Sequence, residues 1–410
     1  MKSKGRTGRR RKRKLMEVSA GLVNQSCDIR YIQLRKWLKN RGFLDSQLRM
    51  AHFPDTGRGL MTTRLLQPED LIISLPESCL LTTETVLKSY LGDFIRKWCP
   101  PISPLLALCT FLITERYAGD QSPWKPYIDV LPSSYDCPVY WEPEIVTLLP
   151  EPIRQRAVQQ RTILQEFYSS HLSFVRSLQP LYQENMENIL SYDAVRWAWC
   201  TVNTRTVYMK HAKRDCFSSE PDVYALAPFL DLLNHSPGVQ VDAAFNEEVR
   251  CYEIRTKVPY RKYDQVFICY GHHDNQRLLL EYGFVASNNP HRSVYVTRDV
   301  MLQFLSSTDK QLQKKWSLLK EHEFLDTYWK KVLLGSFVSE SKEQSCMELV
   351  RKICQQLLEQ TSQALQKISA WKSEHTTNRH LALVEALRLE ELGILQCSDK
   401  LLQNMDFLSL

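Results

Sequence analysis

The sequence predicts an α+β fold: a β-rich domain split by a helical insertion and followed by an all-α C-terminal domain. Strand-like segments occupy Gly57–Leu75 and return over residues 225–296,. Between them, Ile153 to Arg205 is mainly helical in pattern,. Near the end, Val350, Cys354, Leu357, Thr361, Ala364, Ile368 and Trp371 alternate spacings of four and three, the seam of an amphipathic helix,. If the two β halves pair, the helical block between them is an insertion into one domain. A chain of 410 residues has room for two or three domains,.

Residues 1–28 read as a disordered basic tail. Positions 1–14 hold nine Lys/Arg and no acid, and without them the chain carries 44 basic against 46 acidic residues. The formal charge of +7 therefore belongs to the tail. The body is not a polycation, and no stable nucleic-acid binding by it is expected. A run such as Arg9–Lys14 reads either as a nuclear-import signal or as a solvated tail. No apolar h-region follows it, so it is not a secretory signal. Leu105–Ile113 is far short of the ~18–20 apolar residues that span a bilayer. No membrane partner is expected, and the chain reads as soluble and intracellular, in nucleus and cytoplasm.

Residues 29–115 form the N-terminal half of the β-rich domain. Ile29–Lys39 has helical spacing with Gly42 as its stop,. Gly57–Met61, the turn Gln67–Asp70 and Leu71–Leu75 read as a short hairpin with a glycine-rich entry,. Pro104–Tyr117 reads as a buried helix with proline in its first turn,. Residues 116–224 form the insertion. Seven prolines over 122–152 mark an irregular connector, helices follow to Arg205, and 206–224 are a loop. Residues 225–296 return to strands and short turns as the second half of the β domain. Residues 297–410 form the helical domain, with Leu381–Leu395 as a second amphipathic helix. The join between Glu321–Asp326 and Tyr328–Val332 is abrupt, and this domain reads as shortened. The 12 cysteines include no Cys-x-x-Cys pair, and several sit in apolar runs as small core residues of a reducing compartment,.

Four pieces carry chemistry. Gly57-Arg58-Gly59-Leu60 is either a turn with glycines at positive φ or a place where backbone approaches a ligand closely,. Arg205, after the Trp197/Trp199 cluster, is an ion-pair residue or a bidentate partner for a ligand carboxylate,. Asn234-His235-Ser236-Pro237 follows an apolar run and is either a satisfied turn or a polar site,. Tyr270, ending Val266–Cys269, and Tyr282 are core aromatics with a polar handle or groups that use that handle on a ligand,.

Taken in order, Gly-x-Gly-Leu, a distant Asn-His-Ser and a strand ending in Tyr-Gly resemble the SET-domain methyltransferases,. The long insertion between the halves resembles the Rubisco large-subunit methyltransferase class, with substrate-binding helices at the C-terminus. The resemblance spans roughly residues 30–400. It implies S-adenosyl-L-methionine as methyl donor, a lysine-containing protein as acceptor, and no metal. By position it gives Arg58, Gly59 and Leu60 the cofactor wall through their backbone, and Arg205 the methionyl carboxylate. Asn234 and His235 take the methionyl amine and the adenine. Tyr270 becomes the catalytic tyrosine and Tyr282 the second hydroxyl near the methyl group. Asp231 is either a substrate-side acid or a helix cap.

The function this implies is protein-lysine N-methylation, with histones among the targets if the tail directs import. A histidine acceptor is the enzyme alternative, and a catalytically inactive binding module of the same fold is the other.

Overall fold

The computed structural model describes residues 22–304, 340–374 and 378–404. The basic run at 1–14 and the abrupt join at 321–332 lie outside the described residues. The chain forms two compact units, each discontinuous in sequence. One comprises Met1–Tyr140, Gln160–His273 and Asn288–Pro290, and the other Trp141–Gln159, Asp274–Ser287 and His291–Leu410.

The first unit contains every named strand: β1 (Val23–Asn24), β2 (Leu48–Phe53), β3 (Gly57–Thr62), β4 (Leu71–Pro76), β5 (Thr206–Tyr208), β6 (Tyr224–Leu226), β7 (Asn234–His235), β8 (Val241–Asn246), β9 (Cys251–Thr256) and β10 (Gln265–Ile268). They form a five-stranded sheet in the order β1-β2-β3-β10-β7, a three-stranded sheet β4-β9-β8, and the pair β5-β6. The hairpin expected between 57 and 75 is not formed. Gly57–Thr62 instead pairs antiparallel with Leu48–Phe53, and Leu71–Pro76 joins Cys251–Thr256 in another sheet. The reason is where the left-handed residue sits. Gly57 has φ +70° directly after Pro54-Asp55-Thr56, so it closes the turn before β3,.

Helices pack onto these sheets. Ile29–Asn40 starts on Asp28, whose carboxylate accepts from the Arg30 N–H, and buries Tyr31, Leu34, Trp37 and Leu38 along one stripe,. Pro104–Ala118 has Ser103 as its cap, accepting from the Leu106 N–H at 3.2 Å, and proline in its first turn,. It is apolar nearly all round and lies in the core. Tyr192–Arg205 is capped by Ser191 and buries Val195, Trp197, Ala198, Cys200, Thr201 and Val202. It ends at Arg205, which places that side chain at the junction with β5.

The second unit is helical. Glu340–Glu374 and Arg379–Asn404 bury Ile353, Cys354, Thr361, Ala364 and Ile368 against Leu381, Val384, Leu387 and Leu395. Val350, expected in the seam, is 46% exposed, and Ile353 takes the buried position. Thr361 donates to Glu391, which also pairs with Arg388, so the polar residues inside this seam have partners,. Arg388 further donates to the Leu148 carbonyl, and His380 stacks on Trp141 at 5.3 Å. These contacts tie 141–159 to the C-terminal helices, so the units cut across the linear boundaries at 116, 225 and 297.

A helix, Asn275–Tyr282, also stands where strands and short turns were expected. Asp274 caps it through the Arg277 N–H, and Gly283 ends it in the left-handed conformation,. Among the described residues, no helix is long and apolar enough to cross a membrane.

Candidate active site

Strand β10 gathers the site. One edge pairs antiparallel with β3, Gln265 opposite Met61 and Val266 opposite Leu60. The other pairs parallel with β7, Phe267 opposite Asn234 and Ile268 opposite His235. Two segments more than 170 residues apart, Arg58–Leu60 and Asn234–His235, thereby flank one strand. That strand runs directly into Tyr270.

Across this junction Asn234 reaches back to β3. Its Nδ2 donates to the Arg58 carbonyl and to Gln265 Oε1, both at 2.8 Å. Gly59 makes the approach feasible, because a Cβ there would lie 2.6 Å from Gln265 Oε1 and 2.8 Å from Asn234 Nδ2,. Of the two readings of Gly57–Leu60, the turn with a glycine at positive φ is found at Gly57, and the close approach at Gly59 is that of protein side chains. The Arg58 side chain turns away to donate to the Val130 carbonyl at 2.8 Å. The Leu60 side chain is fully buried in the core.

His235 and Tyr270 form a second contact. The Tyr270 N–H donates to His235 Nδ1 at 3.0 Å, and the rings lie 5.2 Å apart at 42°. With Nδ1 accepting, the proton of the neutral imidazole belongs on Nε2. The Tyr270 hydroxyl donates to the Leu233 carbonyl at 2.7 Å. Its proton is thus engaged by backbone.

Arg205 forms a buried ion pair with Asp231, three residues before Asn234. Its Nη1 donates to the Asp231 carbonyl and to Asp231 Oδ2, both at 3.0 Å, and the Asp231 side chain is 1% exposed. Asp231 Oδ2 also accepts from the Tyr127 hydroxyl at 3.1 Å. Burial works against the Arg205 charge, but Asp231 and the hydroxyls of Tyr135 and Tyr127 outweigh it and hold the guanidinium firmly protonated,. Burial pushes the Asp231 carboxyl above its ordinary range while Arg205 draws it back. Among the described residues, Arg205 Nε and Asp231 Oδ1 have no hydrogen-bond partner.

The two roles considered for Asp231 do not stand. It is too deeply buried to be a substrate-side acid, and it lies inside the 3-10 turn Leu230–Leu232 rather than at its cap. Phe229 holds that turn with a left-handed φ of 76°, its ring buried 5.8 Å from Phe43,.

Tyr282 closes the helix Asn275–Tyr282 in the second unit. Its ring lies 6.4 Å from Phe284, and burial, then Glu281, raises its phenol above the usual range. The first unit thus brings together Gly59, Asn234, His235 and Tyr270, and pairs Arg205 with Asp231 just before Asn234 in the chain.

Three contributors were not singled out in sequence. Gln265 is a polar residue heading an apolar strand, which is a readable signal,. Tyr127 and Tyr135 fall in the proline-rich stretch, where nothing in the local pattern announces burial.

A cavity of about 940 Å³ opens elsewhere in the first unit, with Tyr90, Glu115, Trp124 and Tyr182 among its lining residues. None of the residues above lines it. Its buried carboxylate, Glu115, accepts from Ser122 and Tyr90, so the chemistry is better located by the strand junction than by cavity size.

The SET domain family matches residues 57–271 of this chain. SET domain-containing protein 4 of Homo sapiens is 52% identical over 433 aligned positions, covering 98% of this chain and 98% of the relative. Actin-histidine N-methyltransferase of Rattus norvegicus is 28% identical over 274 positions, 64% of this chain and 43% of the relative. The solved SET domain of LSMT bound to lysine and AdoHcy is similar with a TM-score of 0.61 at 19% identity, over 92% of each chain. At that identity the likeness speaks for the fold.

Proposed function

The chain belongs to the SET-domain family, and from that premise we propose that it is a protein-lysine N-methyltransferase using S-adenosyl-L-methionine. The observation that carries the proposal is the junction at β10, where Gly59, Asn234, His235 and Tyr270 meet.

The residues fit the cofactor they would hold. Gly59 lets the Asn234 amide approach the backbone of β3, which sets the amide's orientation toward a ligand. Asn234 has spent its donors on protein and keeps an acceptor for an ammonium group. Arg205 is a buried, permanently charged guanidinium with an unengaged Nε–H, suited to a carboxylate,. His235, whose Nδ1 accepts from the Tyr270 N–H, stands on the adenine side in this reading. When bound, S-adenosyl-L-methionine supplies an electrophilic methyl group on a sulfonium centre.

Tyr270 then acts through its oxygen. Because its proton is directed to Leu233, the hydroxyl presents partial negative charge to a cationic methyl without offering a competing donor,. A free lysine has a pKa of ~10.4, so the acceptor nitrogen must lose its proton before it can attack. Desolvation among aromatic rings favours that neutral form.

Tyr270→Phe keeps the ring and its contact with His235 and removes only the hydroxyl. Methyl transfer from radiolabelled cofactor to proteins of a cell extract is expected to fall by roughly 100-fold or more, with cofactor affinity by calorimetry unchanged. Near-normal turnover would remove Tyr270 from the reaction.

A histidine acceptor is the second reading, supported by the likeness to the actin-histidine enzyme. Imidazole is largely neutral near pH 7 and needs no deprotonation. Mass spectrometry of the labelled residue separates the two, and label on histidine alone would overturn the lysine assignment. We place the enzyme in nucleus and cytoplasm, with histones among its substrates, on the strength of the basic run at 1–14,. Removing residues 1–14 should reduce nuclear accumulation of a fluorescent fusion; an unchanged distribution refutes the import role.

A further inference from the structure

Asn234 has one acceptor and two donor hydrogens on its side-chain amide. Both hydrogens are engaged within the protein, one by the Arg58 carbonyl and one by Gln265 Oε1, each at 2.8 Å. Only Oδ1 is left, and an amide so held can accept but cannot donate. It attracts an ammonium group and gives a carboxylate nothing to bind. The same amide turned by half a rotation would offer N–H groups and reverse that preference.

Two acceptors fix the rotation, and the second is an amide. The Arg58 carbonyl alone holds one of the two hydrogens, and Gln265 captures the other. Gln265 is itself tethered, since its Nε2 donates to Thr56 Oγ1 at 2.8 Å and its backbone is fixed opposite Met61. Gly59 lies under the meeting point, where any Cβ would collide with both amides. Turn residue, strand glycine and strand glutamine thus form one device from three places in the chain.

We infer that Gln265 is a positioning residue that orients the Asn234 amide, so that the cofactor site selects the amino group of its ligand's amino-acid end. The inference rests on the methyltransferase reading above and adds a residue and a selectivity to it. Gln265 touches neither methyl group nor acceptor in this scheme; it works through Asn234.

The test compares two ligands that share the adenosine and the sulfur. S-adenosylhomocysteine carries the amino-acid end, and 5′-methylthioadenosine lacks it. Calorimetry on the full-length chain gives the ratio of their affinities. In Gln265→Leu, affinity for S-adenosylhomocysteine is expected to fall about tenfold, the size of one lost hydrogen bond that supports a charged partner. Affinity for 5′-methylthioadenosine should stay unchanged. Gln265→Glu keeps an acceptor for Asn234 and should restore the wild-type ratio.

A wild-type ratio in Gln265→Leu overturns the inference. So does a parallel loss of both ligands, which would mark a merely structural residue. Failure of the wild-type chain to bind S-adenosylhomocysteine would instead overturn the methyltransferase reading, so the two failures are distinguishable.

Discussion

Arg205 and Asp231 show how far single residues can be read. Their types are suggestive in sequence, but they stand 26 positions apart and nothing local announces that they pair. The fold decides it by ending a helix at Arg205 and placing a strained turn around Asp231. Removing the cation alone leaves a carboxylate that is 1% exposed without its counter-charge. Arg205→Ala is therefore expected to lower stability to urea by about 3–5 kcal/mol, besides weakening ligand binding. Arg205→Ala with Asp231→Ala should cost less than the sum of the two single changes. Additive losses would show that the pair is not coupled. Gly59 and Asn234 were more legible, because a glycine inside a strand and a polar pair after an apolar run both ask for an explanation. Gln265 asked for one too, but its partner is set by strand pairing alone.

At the scale of elements, local signals fixed ends better than partners. Ser103, Ser191 and Asp28 cap helices as their side chains suggest. The glycines near 57 announced a turn without saying on which side the second strand lay. The helix Asn275–Tyr282 was missed despite a capping aspartate before it and Gly283 after it, since eight residues are too few for periodicity to dominate,. Its cap has an extra burden. Asp274 Oδ1 accepts from the Arg277 N–H at 2.8 Å, while Oδ2 accepts the hydroxyls of Ser293 at 2.9 Å and Tyr295 at 2.5 Å. Asp274→Ala should exceed the loss of about 1 kcal/mol typical of a missing cap. Asp274→Asn, which keeps one oxygen for the cap, should recover part of it in thermal melts. Equal melting temperatures for the two variants would deny the cap its share.

The whole molecule divides differently from the linear string because residues 141–159 pack with the C-terminal helices, a preference no local pattern carries. The alignment with the human relative runs to 433 positions, more than the 410 residues here, so that relative has residues this chain lacks. Cysteine chemistry tests the core as a body. Burial raises the Cys79 thiol to about 11 and pushes Cys109 up as well, so neither yields much thiolate at neutral pH,. Cys27, Cys99 and Cys397 are exposed. A thiol reagent should label those three in the native protein and reach Cys79 and Cys109 only on unfolding. Rapid native labelling of Cys109 would mean that the central helix opens readily.

The strand order β3-β10-β7 also sets a timetable. The ribosome makes β3 first and the strand that seats beside it about 200 residues later. At synthesis rates of about 5–20 residues per second, that is a wait of roughly 10–40 s. During it, Leu60 and Met61, paired on one side with β2, leave the other strand edge open until β10 is made,. Ligand binding should therefore appear late and at once as Gln265–Ile268 emerges, and a chain arrested before that strand should adhere to chaperones rather than to nucleosides.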